Sequence, residues 1–123
     1  MLRNSIFLLC VPFFSLAHAA TADTDFVTDA ALCPLSSMER HEKGMSFDGQ
    51  SFWEIEYHCE IDGALPALDW STDQTFIKAG YCEEPGALMP TVFVFRTFTS
   101  EPRVLYVYEG QGGEPVLYHL CNG

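Results

Sequence analysis

Basic residues are scarce. Six Lys and Arg stand against 17 Asp and Glu in 123 residues, for a formal net charge of −11. Nucleic-acid binding needs clustered Lys and Arg that displace counterions from phosphates, so that class is excluded, and anionic membrane surfaces with it. Catalytic signatures are lacking too. The chain has no Gly-x-Ser-x-Gly nucleophile elbow, no His pair at i, i+4 for a zinc enzyme and no Asp-x-Asp-x-Asp-Gly calcium loop. The cysteines include no Cys-x-x-Cys pair, which removes the common zinc frameworks. Gly110-Gln111-Gly112-Gly113 is glycine-rich, but it leads into the acidic, strand-like Glu114-Pro115-Val116-Leu117 rather than a helix, and reads as a hairpin turn, not a phosphate loop. No catalytic set, metal site or cofactor is expected.

What is present is a core. Apolar residues make up 48% of the chain and aromatics 14%, enough to rule out a disordered polymer. The length favours one domain. Met1-Leu2-Arg3-Asn4 is a short basic start. An uncharged apolar stretch follows from Ser5 to Leu16, and then Ala17-His18-Ala19. That order of charge, apolar core and small-residue site predicts a secretory signal peptide over 1–19, too short to span a bilayer. The expected product is exported, to the periplasm or the medium, with no membrane insertion. Its removal leaves 104 of the 123 residues, takes Arg3 with it and carries off Cys10. Cys33, Cys59, Cys82 and Cys121 remain, an even set that reads as two disulfides. Spacing permits three pairings; sequence-local pairing favours Cys33–Cys59 with Cys82–Cys121.

Residues 20–29 are small, polar and acidic, and are expected to be a flexible lead-in to a single disulfide-stapled β-rich domain over 30–123. Within it, Cys33 to Gly44 is expected to hold a short helix, with Pro34 in its first turn and Gly44 as its stop. From Phe52 to Ile61, Trp53, Ile55, Tyr57, Cys59 and Ile61 alternate with Glu54, Glu56, His58 and Glu60, the period of a strand with one buried and one wet face. Trp70 to Cys82 reads as a helical turn or two running into a strand, and Glu83 to Pro90 as a loop. Thr91 to Phe98 is apolar almost throughout, as in a strand covered on both faces. With Arg103–Tyr108 and Pro115–Cys121 it predicts a C-terminal three-stranded meander. The expected fold is mainly β: a small antiparallel sheet or barrel with one or two short helical segments and two disulfides.

The candidate binding surface is the wet face Glu54, Glu56, His58 and Glu60. Alternate residues on a strand lie about 7 Å apart on one side. Three carboxylates in a row, with His58 among them, would steer a basic protein or peptide at low salt. The rival reading is a solvated face that keeps an acidic protein soluble. The aromatics, including Trp53, Trp70, Tyr106 and Tyr108, exceed an obvious core, so a closed barrel or a partner is expected to cover some of them. The leading function is therefore a non-enzymatic protein- or peptide-binding module. The alternatives are a small hydrolase using His58, or a self-associating structural subunit.

Tyr57-His58-Cys59-Glu60-Ile61-Asp62-Gly63 resembles the Tyr-x-Cys…Gly strand opening of small periplasmic C-type lysozyme inhibitors, which also carry a cysteine near the C-terminus, as Cys121 is here. The resemblance implies an exported β-barrel of about this size that opposes a basic protein. That family's Ser-Gly-x-x-Tyr binding loop has no counterpart in this chain, so no binding residue is carried over.

Overall fold

Aromatic side chains at every second position along several short segments must share one interior, and eight antiparallel strands provide it by closing on themselves. In a computed structural model, residues 11–12, 23–110 and 112–121 are described. The signal peptide expected over 1–19 lies outside the described residues, apart from the dipeptide 11–12, as does Gln111 of the glycine-rich turn. The strands are β1 (Phe26–Val27), β2 (Ser46–Phe47), β3 (Ser51–Glu54), β4 (Tyr57–Ile61), β5 (Gln74–Glu84), β6 (Ala87–Phe98), β7 (Glu101–Glu109) and β8 (Val116–Leu120). Each pairs with its neighbour in sequence and β8 pairs with β1, giving an up-and-down barrel with no sheet edge left at the seam. The C-terminal meander is present as β6–β7–β8.

Alternation along the strands turns Phe47, Phe52, Phe93, Phe95, Leu105, Val107, Tyr118 and Leu120 inward, where all are buried. The Phe47 and Phe52 rings stack at 4.2 Å, and Phe52 also meets Phe93 at 5.2 Å and Tyr118 at 5.5 Å. Burying one such ring contributes roughly 2–3 kcal/mol, so this aromatic stack is the main source of apolar stabilisation.

Both disulfides correct the expected pairing. Cys59 bonds to Cys82 and Cys33 to Cys121, not Cys33 to Cys59 and Cys82 to Cys121. Cys59 and Cys82 face each other directly across β4 and β5. Closure makes the first and last strands neighbours, so Cys33, just past β1, meets Cys121, just past β8, across a separation of 88 residues. Local pairing fails because closure joins residues that are remote in sequence. Two disulfides place the chain in an oxidising environment.

Other expectations change as well. Part of the lead-in expected over 20–29 is β1, whose Phe26 and Val27 are fully buried. The short helix, α1 (Ser37–Lys43), does stop at Gly44, but Pro34 precedes it. Ser36 is its N-cap and exchanges hydrogen bonds with Glu39 in a capping box. The Arg40 guanidinium of α1 pins the seam, pairing with Asp25 beside β1 and donating to the carbonyls of Leu32 and Cys33. No helix forms at Trp70. Residues 70–72 are turn and β5 starts at Gln74. The loop expected over Glu83–Pro90 is a hairpin whose strands continue to a two-residue turn, Pro85-Gly86. Nor is β6 covered on both faces: Phe93, Phe95 and Thr97 are buried while Val92 is 48% exposed. Among the described residues, no helix is long and apolar enough to cross a membrane.

Candidate functional site

The expected strand over Phe52–Ile61 is two strands. The chain reverses at Ile55-Glu56, with Glu56 at a positive φ of 61°, and Trp53 pairs with His58. Apolar alternation ran on through the turn and concealed it. The reversal shifts the inward set to Phe52, Cys59 and Ile61, and leaves Trp53 and Ile55 exposed. The row Glu54, Glu56, His58, Glu60 is therefore broken. His58 and Glu60 lie on the outer face of β4, with His58 Nε2 3.6 Å from Glu60 Oε2. The Tyr81 hydroxyl donates to the same carboxylate at 3.1 Å, which with the nearby charges of Glu60 and Glu83 raises the Tyr81 pKa, and the Trp53 ring packs on His58 at 4.3 Å. Glu60 is thus occupied by its own neighbours. His58 Nδ1 is buried with no hydrogen-bond partner among the described residues.

Glu54 and Glu56 go elsewhere, to one mouth of the barrel. Three hairpin reversals meet there, Ile55-Glu56, Pro85-Gly86 and the loop from β7 to β8, beside the α1 connection from β1 to β2, whose His41 carbonyl accepts from Ile55 N–H and whose His41 and Glu42 adjoin Glu54. The reversals carry Glu54, Glu56, Glu83, Glu84, Glu109 and Glu114 to one end, whereas Arg96 and Arg103 lie on the halves of β6 and β7 remote from it. Strand parity sorts these carboxylates. Glu54 pairs with Tyr57 and has the parity of buried Phe52, Glu109 that of buried Val107, and Glu84 that of buried Cys82. These three face the lumen side; Glu83 faces out.

Tyr57 stands among them. Its hydroxyl donates to Glu109 Oε1 at 2.8 Å. Burial, the Glu109 hydrogen bond, and the charges of Glu109, Glu84 and Glu54 all raise its pKa. Tyr118 beneath is raised by burial first, then by the same carboxylates Glu109 and Glu54. Three carboxylates from three hairpins thus act on one phenol. A small cavity of about 30 Å³ below them is lined by Met45, Phe52, Val107, Val116 and Tyr118 among others, with Glu109 its one carboxylate, so the floor is mainly apolar. Beside it, Trp53, Glu54, Glu56, Tyr57, His58 and Glu84 help line an open groove of about 370 Å³ between two hairpin tips.

Cys59, Cys82 and Glu109 approach within 4.8 Å, but the two sulfurs are bonded to each other, so this trio offers a metal one carboxylate and no thiolate. The arrangement is suited to holding a cation by charge and an aliphatic stem by contact. Glu84 and Glu109 were missed by strand-face reasoning, because their convergence with Glu54 depends on closure of the barrel. The nearest signal in the sequence is that each of the three reversals is flanked by glutamate.

Comparison with known protein families, curated proteins and solved structures returns no match to this chain.

Proposed function

We propose that this is an exported, non-enzymatic binding module that receives a basic side chain of a protein or peptide partner at the acidic mouth of its barrel. The observation that carries the reading is the convergence of Glu54, Glu84 and Glu109 on Tyr57 above an apolar floor. A Lys or Arg entering there would place its methylene stem against Val116 and Met45 and its charge among the carboxylates. Ile55, Met89 and Val116 are exposed beside the acidic residues and supply apolar contact. The oxidising environment that two disulfides require fits either the periplasm or the medium.

The test is titration with a C-type lysozyme as the basic protein, in low and in physiological salt. The native chain should bind and weaken as salt rises, since exposed charges are screened over about 8–10 Å. The Glu54→Gln/Glu84→Gln/Glu109→Gln variant should lose most of the affinity. A Glu60→Gln variant on the outer face should keep it. Equal binding by the native and triple-Gln chains would refute the mouth as the site.

A further inference from the structure

The β5–β6 hairpin outruns the barrel on one side only. Toward β4, β5 is paired as far as Glu83 with His58. Toward β7, pairing of β6 begins at Phe93 with Glu109, so Ala87–Thr91 extend past the end of β7. The last bond on that side runs from Gly110 N–H to Val92 C=O at 3.0 Å. It fixes which way the edge points. Backbone groups two and four residues back lie on the same side, so Leu88 N–H, Leu88 C=O and Pro90 C=O face the open edge. Among the described residues, no strand pairs with them there. Pro90 has no N–H to lose at this position, which is how a proline sits within a strand.

We infer that this edge accepts a fourth strand of the meander from outside: an extended basic peptide that pairs with β6 over Leu88–Pro90, in line with β7. The inference rests on the acidic-mouth reading and adds the backbone mode by which the partner is held. Charge selects the occupant. Alternate side chains of an added strand would point to the mouth, beside Glu84 and Glu109, and there basic residues are complementary. Those between would point outward to continue the exposed apolar stripe of Leu88, Val92 and Ile77, which are 63%, 48% and 70% exposed. A second copy of this chain is disfavoured by charge, because pairing through this edge would bring the acidic mouths of two chains, each with a formal net charge of −11, alongside one another. The edge offers two acceptors and one donor, enough for a short ladder of the kind used in strand addition.

The experiment uses blocked pentapeptides and the oxidised chain, followed by amide NMR and hydrogen exchange. Lys-Val-Lys-Val-Lys should bind, slow exchange of the Leu88 amide and leave the β4 amides unchanged. A version N-methylated on its bonding edge keeps the charge but should bind at least about tenfold more weakly, the loss expected for one or two hydrogen bonds. The protein variant Leu88→Pro removes the edge donor while the β5 ladder is kept. It should melt near the native chain and lose the peptide-induced protection. Equal binding of plain and N-methylated peptides, abolished by the triple-Gln variant, would overturn strand addition and leave the acidic mouth standing. Equal binding of Lys-Val-Lys-Val-Lys and Glu-Val-Glu-Val-Glu would overturn both. Leu88 protection that rises with protein concentration in the absence of peptide would assign the edge to a second copy and overturn the peptide as occupant.

Discussion

Adding one methyl group at Gly80 should destabilise the fold more than its partly exposed position implies. Gly80 lies on β5 opposite Ile61, where β4 ends and the backbones come close. A Cβ there would stand 2.2 Å from the Glu60 carbonyl oxygen, 3.0 Å from Ile61 Cα and 3.1 Å from Glu60 C. These are backbone atoms, which cannot rotate aside as a side chain would. β4 is held on its other flank by β3, and Cys59–Cys82 ties it to β5 two residues away. Relief of about 1 Å therefore means opening the β4–β5 ladder at its end. Overpacking costs roughly 1–3 kcal/mol, and one or two weakened ladder bonds cost about 1 kcal/mol each. Against this, Ala in place of Gly gains about 0.4–1 kcal/mol by restricting the unfolded chain. The net for Gly80→Ala is about 3 kcal/mol of lost stability, or a melting temperature lowered by roughly 12–24 °C for a domain of this size. Urea denaturation of the oxidised protein measures it. Gly86→Ala is the control: at φ +84° it is strained, but a Cβ there meets nothing within 4 Å, so it should cost only about 1–2 kcal/mol. If Gly80→Ala unfolds within 1 kcal/mol of the native chain, on the scale of a single hydrogen bond, the close approach is not a rigid constraint and the reasoning fails.

Three further outcomes can be checked with similar means. Opening Cys33–Cys121 with paired Ser substitutions releases a loop of 88-residue separation and should lower stability by about 4–5 kcal/mol in the chain-entropy account, seen as a lower urea midpoint; an unchanged midpoint would contradict it. Tyr118 holds its proton more tightly folded than unfolded, so it contributes a level term below its ordinary pKa of 10.0 and a loss as pH rises above it. Stability should fall there by up to about 1.4 kcal/mol per pH unit on its account, and Tyr118→Phe should make the alkaline limb of a pH–stability curve shallower by that slope. Glu56 occupies the left-handed region with φ 61°, so Glu56→Gly should raise stability by up to about 1 kcal/mol in thermal melts, and a loss would mean that its side chain holds the turn.

The last third of the fold was legible because its signals are local. Phe93, Phe95, Leu105, Val107 and Tyr118 alternate within their own strands, and the reversals between them use Ser, Pro and Gly. The hairpin at Ile55-Glu56 was not legible: neither residue is a turn former, and the apolar alternation is unbroken across it. Proline misled at Pro90, where a missing N–H is harmless because it faces the open edge of β6. The Cys33–Cys121 disulfide and the candidate mouth depend on closure, and Cys59–Cys82 on the β4–β5 register that the hidden reversal sets. The Tyr57–Glu109 bond links residues 52 apart in sequence, and no window of strand length contains both. Among the proposed binding residues, Glu54 stands in the expected acidic row but on the opposite face, with the parity of buried Phe52, and its companions Glu84 and Glu109 follow only from the barrel.

The bond between Cys33 and Cys121 also alters what a protease can accomplish. Every peptide bond between those two residues lies in a covalent ring, so one cut there opens the ring and releases no fragment. A nick at exposed Gly86 would leave two pieces, one bearing β1 to β5 and the other β6 to β8, still tied at the seam, with the cut ends paired across the β5–β6 ladder. Two cuts are needed before anything departs. A barrel sewn at its seam in this way keeps its pieces together after a first cleavage, and a single nick should be detectable only after reduction.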